Sequence, residues 1–309
     1  MIECIICRQN EVLFSDEHVI PDALGGYYHI KNVCKKCNSH LGSKVDTKLV
    51  DNKFIQLLRL QHKTLGKSKR LPNPYSGNIT LNDDIRFQNR IDDNGHVYQY
   101  VLPSPPLIKN LDDGKVELNF TLDEMDYPLS TQIIERILNK NNLSTKSYSV
   151  EKEDVALDLS GVKTIISIEP YEFKIGLLKI AYEFAVDSIN QYYQDQEAIN
   201  ISKILLNADY NAALEYVHGS GFDNIIELNF KEYLKVDDDS HFLLLCCIPN
   251  EGLICFISLF NSMSVSVKLS SNHSYMEAPI FGINETSKKK FFKKSVLDIS
   301  RGFLEKKQQ

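Results

Sequence analysis

Four cysteines near the amino terminus have the spacing of a structural zinc site. Cys4 and Cys7 form one C-x2-C pair, and Cys34 and Cys37 form a second. Two such pairs can place four thiolates at the corners of a tetrahedron, which is the coordination that Zn²⁺ accepts in closed structural sites. The first residues show no secretory leader, so we expect reduced thiols and zinc rather than disulfides.

Three polar residues between and after these pairs have the chemistry of a hydrolytic site. Glu17 and His18 are adjacent, and Asn38 directly follows the last zinc-spaced cysteine. A carboxylate and an amide oxygen are hard ligands suited to Mg²⁺ or Mn²⁺. An imidazole beside such an ion is positioned to take a proton from water. The three residue types therefore predict one divalent ion and one general base.

The elements that must position these residues are a hairpin and a helix. Ser15 to Ile20 is expected to form a strand that ends at Pro21, and Gly25-Gly26 is expected to turn the chain. The β-prone run Tyr27 to Val33 can return as a second strand. A helix then begins near the second cysteine pair, with an apolar face that points to a core. A hairpin folded against this helix can bring Glu17, His18 and Asn38 together.

In order and spacing, these motifs resemble the HNH endonucleases, in particular the zinc-clamped kind with a ββα-metal fold. The resemblance rests on Cys4-x2-Cys7, Glu17-His18-Val19-Ile20-Pro21, Gly25-Gly26 and Cys34-x2-Cys37-Asn38, and it covers about residues 1–60. It implies cleavage of nucleic acid with one divalent ion. His18 is then the general base, and Glu17 and Asn38 are the protein ligands of that ion.

The sequence departs from the family pattern at two positions, and the resemblance also suggests three residues with auxiliary roles. Glu17 stands where the family more often has Asp, and Asn38 stands where other members have His. Asn32 is a weak counterpart of the family's middle Asn, and His40 and Asp46 lie on the helix as candidate auxiliaries.

Other residues of the amino-terminal module, residues 1–64 (the head), suit contact with nucleic acid. Tyr27 and Tyr28 are expected either to stack against nucleic acid or to pack the hairpin. Four lysines are expected either to hold phosphates or to be solvated surface charges: Lys31, Lys35, Lys36 and Lys44.

The charge distribution favours a nucleic-acid partner for the two ends of the chain. Residues 1–70 carry a net charge of +5, residues 288–309 carry +6, and the stretch between them carries −17 within an overall −6. The basic tail at 288–309 is either a solvated terminal helix or a phosphate-contacting patch. The acidic middle is not expected to be the main nucleic-acid surface.

The rest of the 309-residue chain predicts an α+β domain. We expect a zinc-bound ββα-metal module at 1–64, a linker at 65–78 and a larger mixed α+β domain at 79–309 that serves target selection, dimerisation or effector sensing. Within that domain, the pattern indicates strands at 78–87, 96–103, 115–123 and 164–170, helices at 130–142, 172–193 and 197–217, and a three-stranded meander over 241–270.

The remaining cysteines, histidines and acid clusters of this larger region are expected to have no catalytic or metal-binding role. Cys246, Cys247 and Cys255 lie in apolar runs and are expected to be buried and inert. The remaining histidines are expected to be structural or exposed. The acid clusters Asp83-Asp84 and 237–239 are expected to be solvated turns rather than metal sites.

Two functional classes follow from these patterns. The first is a metal-dependent endonuclease acting on DNA, with RNA not excluded, in restriction or phage defence. The second is a non-catalytic zinc ribbon that binds nucleic acid or regulates, which would not need the set Glu17, His18 and Asn38. No run of 18 apolar residues occurs, so we expect a cytoplasmic protein without a membrane span. A homodimer is a candidate assembly because one ββα site cuts one strand.

Overall fold

The computed structural model describes residues 3–10, 12–66, 69–81, 85–113, 115–143, 148–157, 165–221, 237–296 and 298. The chain forms two compact units, one of residues 1–72 with 167–309 and the other of residues 73–166. The structure is a mixed α+β protein, as the sequence predicts. In the described part, no helix combines the length and apolar character needed to cross a membrane.

The amino-terminal segment forms the predicted hairpin and helix. Its elements are β1 (Phe14–His18), a 3-10 turn (Asp22–Leu24), β2 (His29–Cys34), α1 (Lys35–His40), a π-helical stretch (Leu41–Asp46), α2 (Thr47–Val50) and α3 (Lys53–Gln61). Strands β1 and β2 are antiparallel, with His18 opposite His29 and a bulge between Ser15 and Glu17. The hairpin and the helix that follows it make up the ββα arrangement.

The turn between β1 and β2 requires glycine because the backbone folds closely on itself. Gly25 has a φ of 75°, in the left-handed region that glycine tolerates best. At Gly26, a Cβ atom would lie 1.9 Å from the carbonyl oxygen of Ile20. A side chain at Gly26 would therefore displace the segment that directly follows His18.

The second unit, residues 73–166, is built mainly from short antiparallel strands. Its elements are β3 (Asn78–Thr80), β4 (Arg86–Ile91), β5 (Val97–Val101), β6 (Leu107–Asn110), β7 (Val116–Asn119), a 3-10 turn (Glu124–Leu129) and α4 (Ser130–Lys140). The expected single strand at 78–87 is two strands, β3 and β4. The expected strand at 164–170 is wrong over 165–170, where no strand forms. Thr164 and the pair Asp83-Asp84 lie outside the described residues.

The last part of the chain joins helices to a large antiparallel sheet. Its elements are α5 (Lys174–Ser188), a 3-10 turn (Asn190–Gln194), α6 (Gln196–Asn207), α7 (Tyr210–Ala213), β8 (Val217–Gly221), β9 (His241–Ile248), β10 (Gly252–Leu259), β11 (Met263–Ser270), β12 (Ile280–Glu285) and β13 (Lys290–Ser295). The sheet order is β13-β12-β9-β10-β11-β8, and its middle contains the predicted meander.

Two sequence-based elements of this part need correction. The expected helix at 197–217 ends at Asn207, because Ala208 has a φ of 51° and Asp209 then caps α7. The basic stretch expected to be helical contains strand β13 instead, paired with β12. Aromatic residues at 291 and 292 give this run a strand-forming character that outweighs its lysines. Residues 297 and 299–309 of the predicted tail lie outside the described part.

Helix α5 lies at the centre of the first unit and is buried on nearly every side. A single apolar core includes residues of the hairpin, of α5 and of the six-stranded sheet. At Gly176 of α5, an added Cβ would lie 2.6 Å from the Cβ of Leu49 in α2. The amino-terminal segment and α5 are therefore in direct backbone-to-side-chain contact. The predicted division into a module at 1–64, a linker at 65–78 and a domain at 79–309 stays a prediction.

Candidate functional site

The four amino-terminal cysteines converge on one point. Their Sγ atoms all lie within 4.8 Å of one another, and those of Cys7 and Cys34 are 3.9 Å apart. Zinc–sulfur bonds of about 2.3 Å in a tetrahedron place the sulfurs roughly 3.8 Å apart. Among the described residues, this is the one cluster of histidine, cysteine and acidic side chains with metal-binding geometry.

Backbone N–H groups also point at these sulfurs. The amide of Cys34 donates to Cys4 Sγ at 3.3 Å, and the amide of Cys37 donates to Cys34 Sγ at 3.4 Å. Such bonds favour the thiolate form that zinc requires. Because the bond from Cys37 to Cys34 caps the start of α1, the cluster fixes the helix against the hairpin.

Glu17 lies in the interior, in a cluster of charges that the sequence did not reveal. Its Oε1 is 2.5 Å from the Nζ atom of Lys179 on α5, and the side chains are 3% and 0% exposed. The same ammonium is 3.4 Å from Asp46 and 3.5 Å from Glu183. It also donates to the backbone oxygen of His18 at 2.5 Å. Lys179 therefore holds both the side chain and the backbone of the predicted catalytic pair.

Burial and charge oppose each other in this cluster. Burial raises the pKa of Glu17 and that of Asp46, and the ammonium only partly offsets this. Burial alone would lower the pKa of Lys179, but the three surrounding carboxylates raise it above its ordinary value. Burial also raises the pKa of Glu183 well above its ordinary value. Three carboxyl groups thus share one buried ammonium, and burial disfavours the charged form of each of them.

His18 points the other way from Glu17 because adjacent strand residues face opposite sides. Its side chain is 24% exposed, and Nε2 lies 4.0 Å from Oδ1 of Asp22. Its ring lies against that of His29, with centroids 4.1 Å apart and a tilt of 51°. His29 in turn pairs through Nδ1 with Oδ2 of Asp16 at 2.8 Å. Two imidazoles and two carboxylates thus meet on the outer side of the hairpin.

Asn38 joins the same outer cluster from the helix. Its Nδ2 donates to the backbone oxygen of Asp16 at 2.8 Å, next to the predicted catalytic pair. Its amide oxygen has no hydrogen-bond partner among the residues the structure describes, and that oxygen is the atom with which asparagine binds a hard cation. The structure therefore places His18 and Asn38 at the surface, and it places Glu17 beneath them.

Residues 4–54 match the sequence model of the HNH endonuclease family. This match includes all four clustered cysteines, Glu17, His18 and Asn38, and it confirms the resemblance. No curated protein and no solved structure gave a significant match to the chain. The match supports nuclease activity and implies a nucleic-acid substrate. The cysteine cluster fits structural zinc, and HNH nucleases use divalent metal ions.

The auxiliary residues suggested for the HNH module have other contacts. Asp46 belongs to the Lys179 cluster, and His40 pairs through Nε2 with the backbone oxygen of Leu205 at 3.2 Å. The Asn32 backbone oxygen accepts a hydrogen bond from Ile5. Its side-chain oxygen is buried without a hydrogen-bond partner among the described residues. These contacts show that the three residues take part in packing the module. Their suggested auxiliary roles in catalysis stay predictions.

The two tyrosines of the hairpin differ in their surroundings. Tyr28 stacks on Phe291 of β13 with centroids 4.0 Å apart and an interplanar angle of 5°, and its hydroxyl donates to Asp187 at 2.5 Å. The backbone amide of Tyr27 donates to Asn284 of β12 at 2.7 Å. Tyr28 therefore packs the hairpin, which is the second of the two expectations stated for it. The four lysines suggested as phosphate contacts are exposed: Lys31, Lys35, Lys36 and Lys44.

The cysteines and one of the histidines that were expected to be structural can be compared directly with the structure. Cys246 and Cys255 are buried in the sheet and Cys247 is half-buried, away from the zinc-spaced set. His241 is fully buried, with Nε2 2.7 Å from the Leu24 backbone oxygen and Nδ1 accepting from the Phe260 amide. This histidine is structural, and it links β9 to the turn after β1.

Sequence reasoning did not identify Lys179, Glu183 or His29 as site residues. Lys179 and Glu183 did leave a signal, since they are the only charged residues in the stretch 175–186 of α5 and, being four apart, share one face of the helix. His29 left none, because its partner across the hairpin depends on a register that includes a bulge.

Proposed function

We propose that this protein is a metal-dependent endonuclease that hydrolyses phosphodiester bonds in DNA, with His18 as the general base. The observation that carries the proposal is the placement of His18 within the HNH match: its ring is partly exposed on the outer side of a zinc-spaced hairpin, next to Asn38. A buried imidazole could not meet a nucleic acid, whereas this one is accessible.

In the proposed reaction, His18 takes a proton from water while the water oxygen bonds to phosphorus. The bond from phosphorus to the 3′ oxygen breaks, and that oxygen leaves and takes up a proton from solvent. The products are a 3′ hydroxyl and a 5′ phosphate. General base catalysis of this kind contributes roughly 10²–10⁴-fold to the rate. The ring contact with His29 and the neighbouring Asp22 keep His18 in one orientation.

Glu17 and Asn38 are the proposed protein ligands of one Mg²⁺ or Mn²⁺. Their donor chemistry fits, because a carboxylate and an amide oxygen are the hard ligands these ions prefer. When bound, such an ion stabilises negative charge on the phosphate and on the leaving oxygen. Since Glu17 faces inward onto Lys179 and Asn38 lies on the outer side of the hairpin, this role requires the Glu17 side chain to turn from the ammonium toward the ion.

Contact with DNA is assigned to basic residues of the head and of β13. The exposed lysines at 31, 35, 36 and 44 lie in β2, α1 and the π-helical stretch that follows. Exposed lysines also occupy β13 and the turn before it, at 288, 289, 290, 293 and 294. Strand β13 meets the hairpin through the Tyr28–Phe291 stack. Lysines in such positions are suited to phosphates, which supply most of the affinity for DNA.

A second candidate function is supported by the pairing of Glu17. Since a fully buried ammonium already neutralises this carboxylate, the module could bind nucleic acid as a zinc ribbon without cutting it. The two candidates differ in one requirement: only the endonuclease depends on the imidazole of His18.

A nicking assay with supercoiled plasmid tests the proposal. We expect the protein to relax and linearise the plasmid in Mg²⁺ or Mn²⁺, and EDTA to stop the reaction. His18→Ala should lower the rate by roughly 10²–10⁴-fold. The matched control is His96→Ala, because His96 also pairs with an aspartate, Asp92, but lies in the other compact unit.

The assay also separates the two candidates. Nicking by His18→Ala at the rate of the control variant would reject His18 as the base. DNA binding without nicking in either metal would reject the endonuclease and favour the zinc ribbon. Nicks that carry a 5′ phosphate can be sealed by DNA ligase, which checks the bond proposed to break.

The wider setting is part of the same proposal. Two ββα sites are needed to cut both strands together, so double-strand cleavage would involve a homodimer. A cytoplasmic location suits a zinc site made of reduced thiolates. Restriction or phage defence is the proposed biological role, and target selection, dimerisation or sensing is proposed for the region after the head.

A further inference from the structure

The outer side of the hairpin contains one imidazole, that of His29, to which the proposed reaction assigns no contact with the substrate. His29 lies directly opposite His18 in the strand register, and the two rings are in contact at 4.1 Å between centroids. Its side chain is 35% exposed. A residue this close to the general base lies within reach of the same stretch of DNA backbone.

Asp16 determines how the His29 ring is oriented. The carboxylate Oδ2 is 2.8 Å from Nδ1, so Nδ1 carries a hydrogen and donates it. The opposite nitrogen, Nε2, has no hydrogen-bond partner among the described residues. Asp16 is itself positioned, because its backbone oxygen accepts from Asn38. Two hydrogen bonds, from Asn38 to Asp16 and from His29 to Asp16, thus link the predicted ion ligand Asn38 with an oriented imidazole.

The same face of β2 continues with basic groups. His29 and Lys31 are both exposed and two residues apart, so they point to the same side at a spacing of about 7 Å. Lys35 and Lys36 follow at the start of α1 and are also exposed. Nitrogen donors therefore run along one edge of the hairpin, beginning at the His18 ring.

We propose that His29, oriented by Asp16, binds a phosphate of the DNA backbone beside the one attacked by water. This inference rests on the proposed endonuclease function and adds a substrate-binding residue to it. In the complex, the ring lies between the Asp16 carboxylate and a phosphate, and it donates Nδ1–H to one and Nε2–H to the other. Both nitrogens of an imidazolium are hydrogen-bond donors, so one ring can bridge two anions.

DNA binding gives a readout that does not depend on cleavage. The probe is a short fluorescein-labelled DNA duplex, titrated in Ca²⁺ over a series of salt concentrations. His29→Gln, of similar size but uncharged, should raise the dissociation constant about tenfold, the loss expected for one hydrogen bond to a charged group. The slope of log affinity against log salt should fall by about 0.9, because one phosphate contact is lost.

Three further variants make the experiment specific. His29→Lys should restore the salt slope, since it returns a positive charge to the same face. Asp16→Asn should weaken binding less than His29→Gln, because it removes only the orienting carboxylate. His96→Ala, an exposed histidine with an aspartate partner in the other unit, should leave both quantities unchanged. Circular dichroism shows whether each variant is folded.

Kinetics then distinguish this inference from the proposed function. We expect His29→Gln to raise KM more than it lowers kcat, whereas His18→Ala should lower kcat and leave duplex binding near that of the wild type. The inference is overturned if His29→Gln binds like His96→Ala with the same salt slope. It is also overturned if His29→Gln changes only the metal concentration that the reaction needs, which would make His29 an ion ligand. Neither result depends on whether His18 is the base.

Discussion

The Nζ atom of Lys179 lies 2.5 Å from Oε1 of Glu17, and both side chains are buried. The two residues are far apart in the chain and come from different elements, β1 and α5. Through this pair, and through the bond from Lys179 to the His18 backbone oxygen, the carboxyl-terminal part of the first unit holds the candidate catalytic strand in place. The HNH module is thus completed by residues well outside the matched segment.

Removing the ammonium should be strongly destabilising. Lys179→Met would leave the buried Glu17 and Glu183 and the partly buried Asp46 without a cation, and breaking a buried ion pair in this way costs about 3–5 kcal/mol. The double variant Lys179→Met with Glu17→Gln should recover part of that loss, because it removes the nearest unpaired charge. Urea unfolding of the three proteins measures both effects. Stability of Lys179→Met within about 0.5 kcal/mol of the wild type, the range of ordinary surface changes, would contradict the ion-pair assignment.

Loss of a zinc ligand should unfold more than the hairpin. Structural zinc contributes about 10–16 kcal/mol of binding free energy in small modules, which is comparable with the whole stability of a typical domain. Because the hairpin shares one core with α5 and the sheet, Cys34→Ser should lower helicity and thermal stability and abolish bound zinc. Circular dichroism and elemental analysis measure these quantities.

The half-buried Cys247 provides the control for that experiment, since it lies outside the zinc-spaced cluster. Cys247→Ser should keep one equivalent of zinc and native helicity. If Cys34→Ser also keeps both, the four cysteines do not form a structural zinc site.

Acid should weaken the link between β9 and the turn after β1. Burial lowers the pKa of His241 to about 4, from an ordinary value of 6.5, and the nearby His62 adds to this. Above pH 6.5 the ring is neutral in both the folded and the unfolded state. As the pH falls from 6.5 to 4, only the unfolded state takes up the proton, so the folded state loses about 3 kcal/mol over that range.

Urea unfolding at several pH values tests this assignment. His241→Gln lacks the titrating ring, so its free energy of unfolding should decline less steeply between pH 6.5 and 4 than that of the wild type. Equal pH dependence of the two proteins would show that His241 does not titrate in this way.

The turn that follows the candidate catalytic pair should not tolerate a methyl group at Gly26. A Cβ there would lie 1.9 Å from the Ile20 carbonyl oxygen, so Gly26→Ala must displace backbone next to His18. We expect Gly26→Ala to lower the free energy of unfolding by about 1–3 kcal/mol and to lower the nicking rate. Thermal unfolding and the plasmid assay measure both changes.

Gly42 is the matched control for this substitution. It lies in a helical stretch with open space around its Cα, and an added Cβ would contact nothing within 4 Å. Gly42→Ala should stabilise the protein by up to about 1 kcal/mol, because alanine favours helix. Equal thermal stability of Gly26→Ala and Gly42→Ala would refute the close approach at Ile20.

Local pattern was sufficient to predict the hairpin, the helix after it and the meander β9–β11. Alternating apolar residues and turn-forming glycines act over a few residues, so they can be read directly from the chain. The pattern was wrong in two places. The stretch at 290–295 is a strand because β12 pairs with it, and the run at 165–170 forms no strand despite its β-prone residues.

The sequence by itself determined the zinc-spaced cysteines, the HNH motif and the candidate roles of Glu17, His18 and Asn38, because these depend on residue type and on short spacing. Only the tertiary structure decided that Glu17 faces inward onto Lys179 while His18 faces outward onto His29. The physical reason is that a strand sends adjacent side chains to opposite sides, and the partner each side chain meets is set by long-range packing against α5 and by a bulged register.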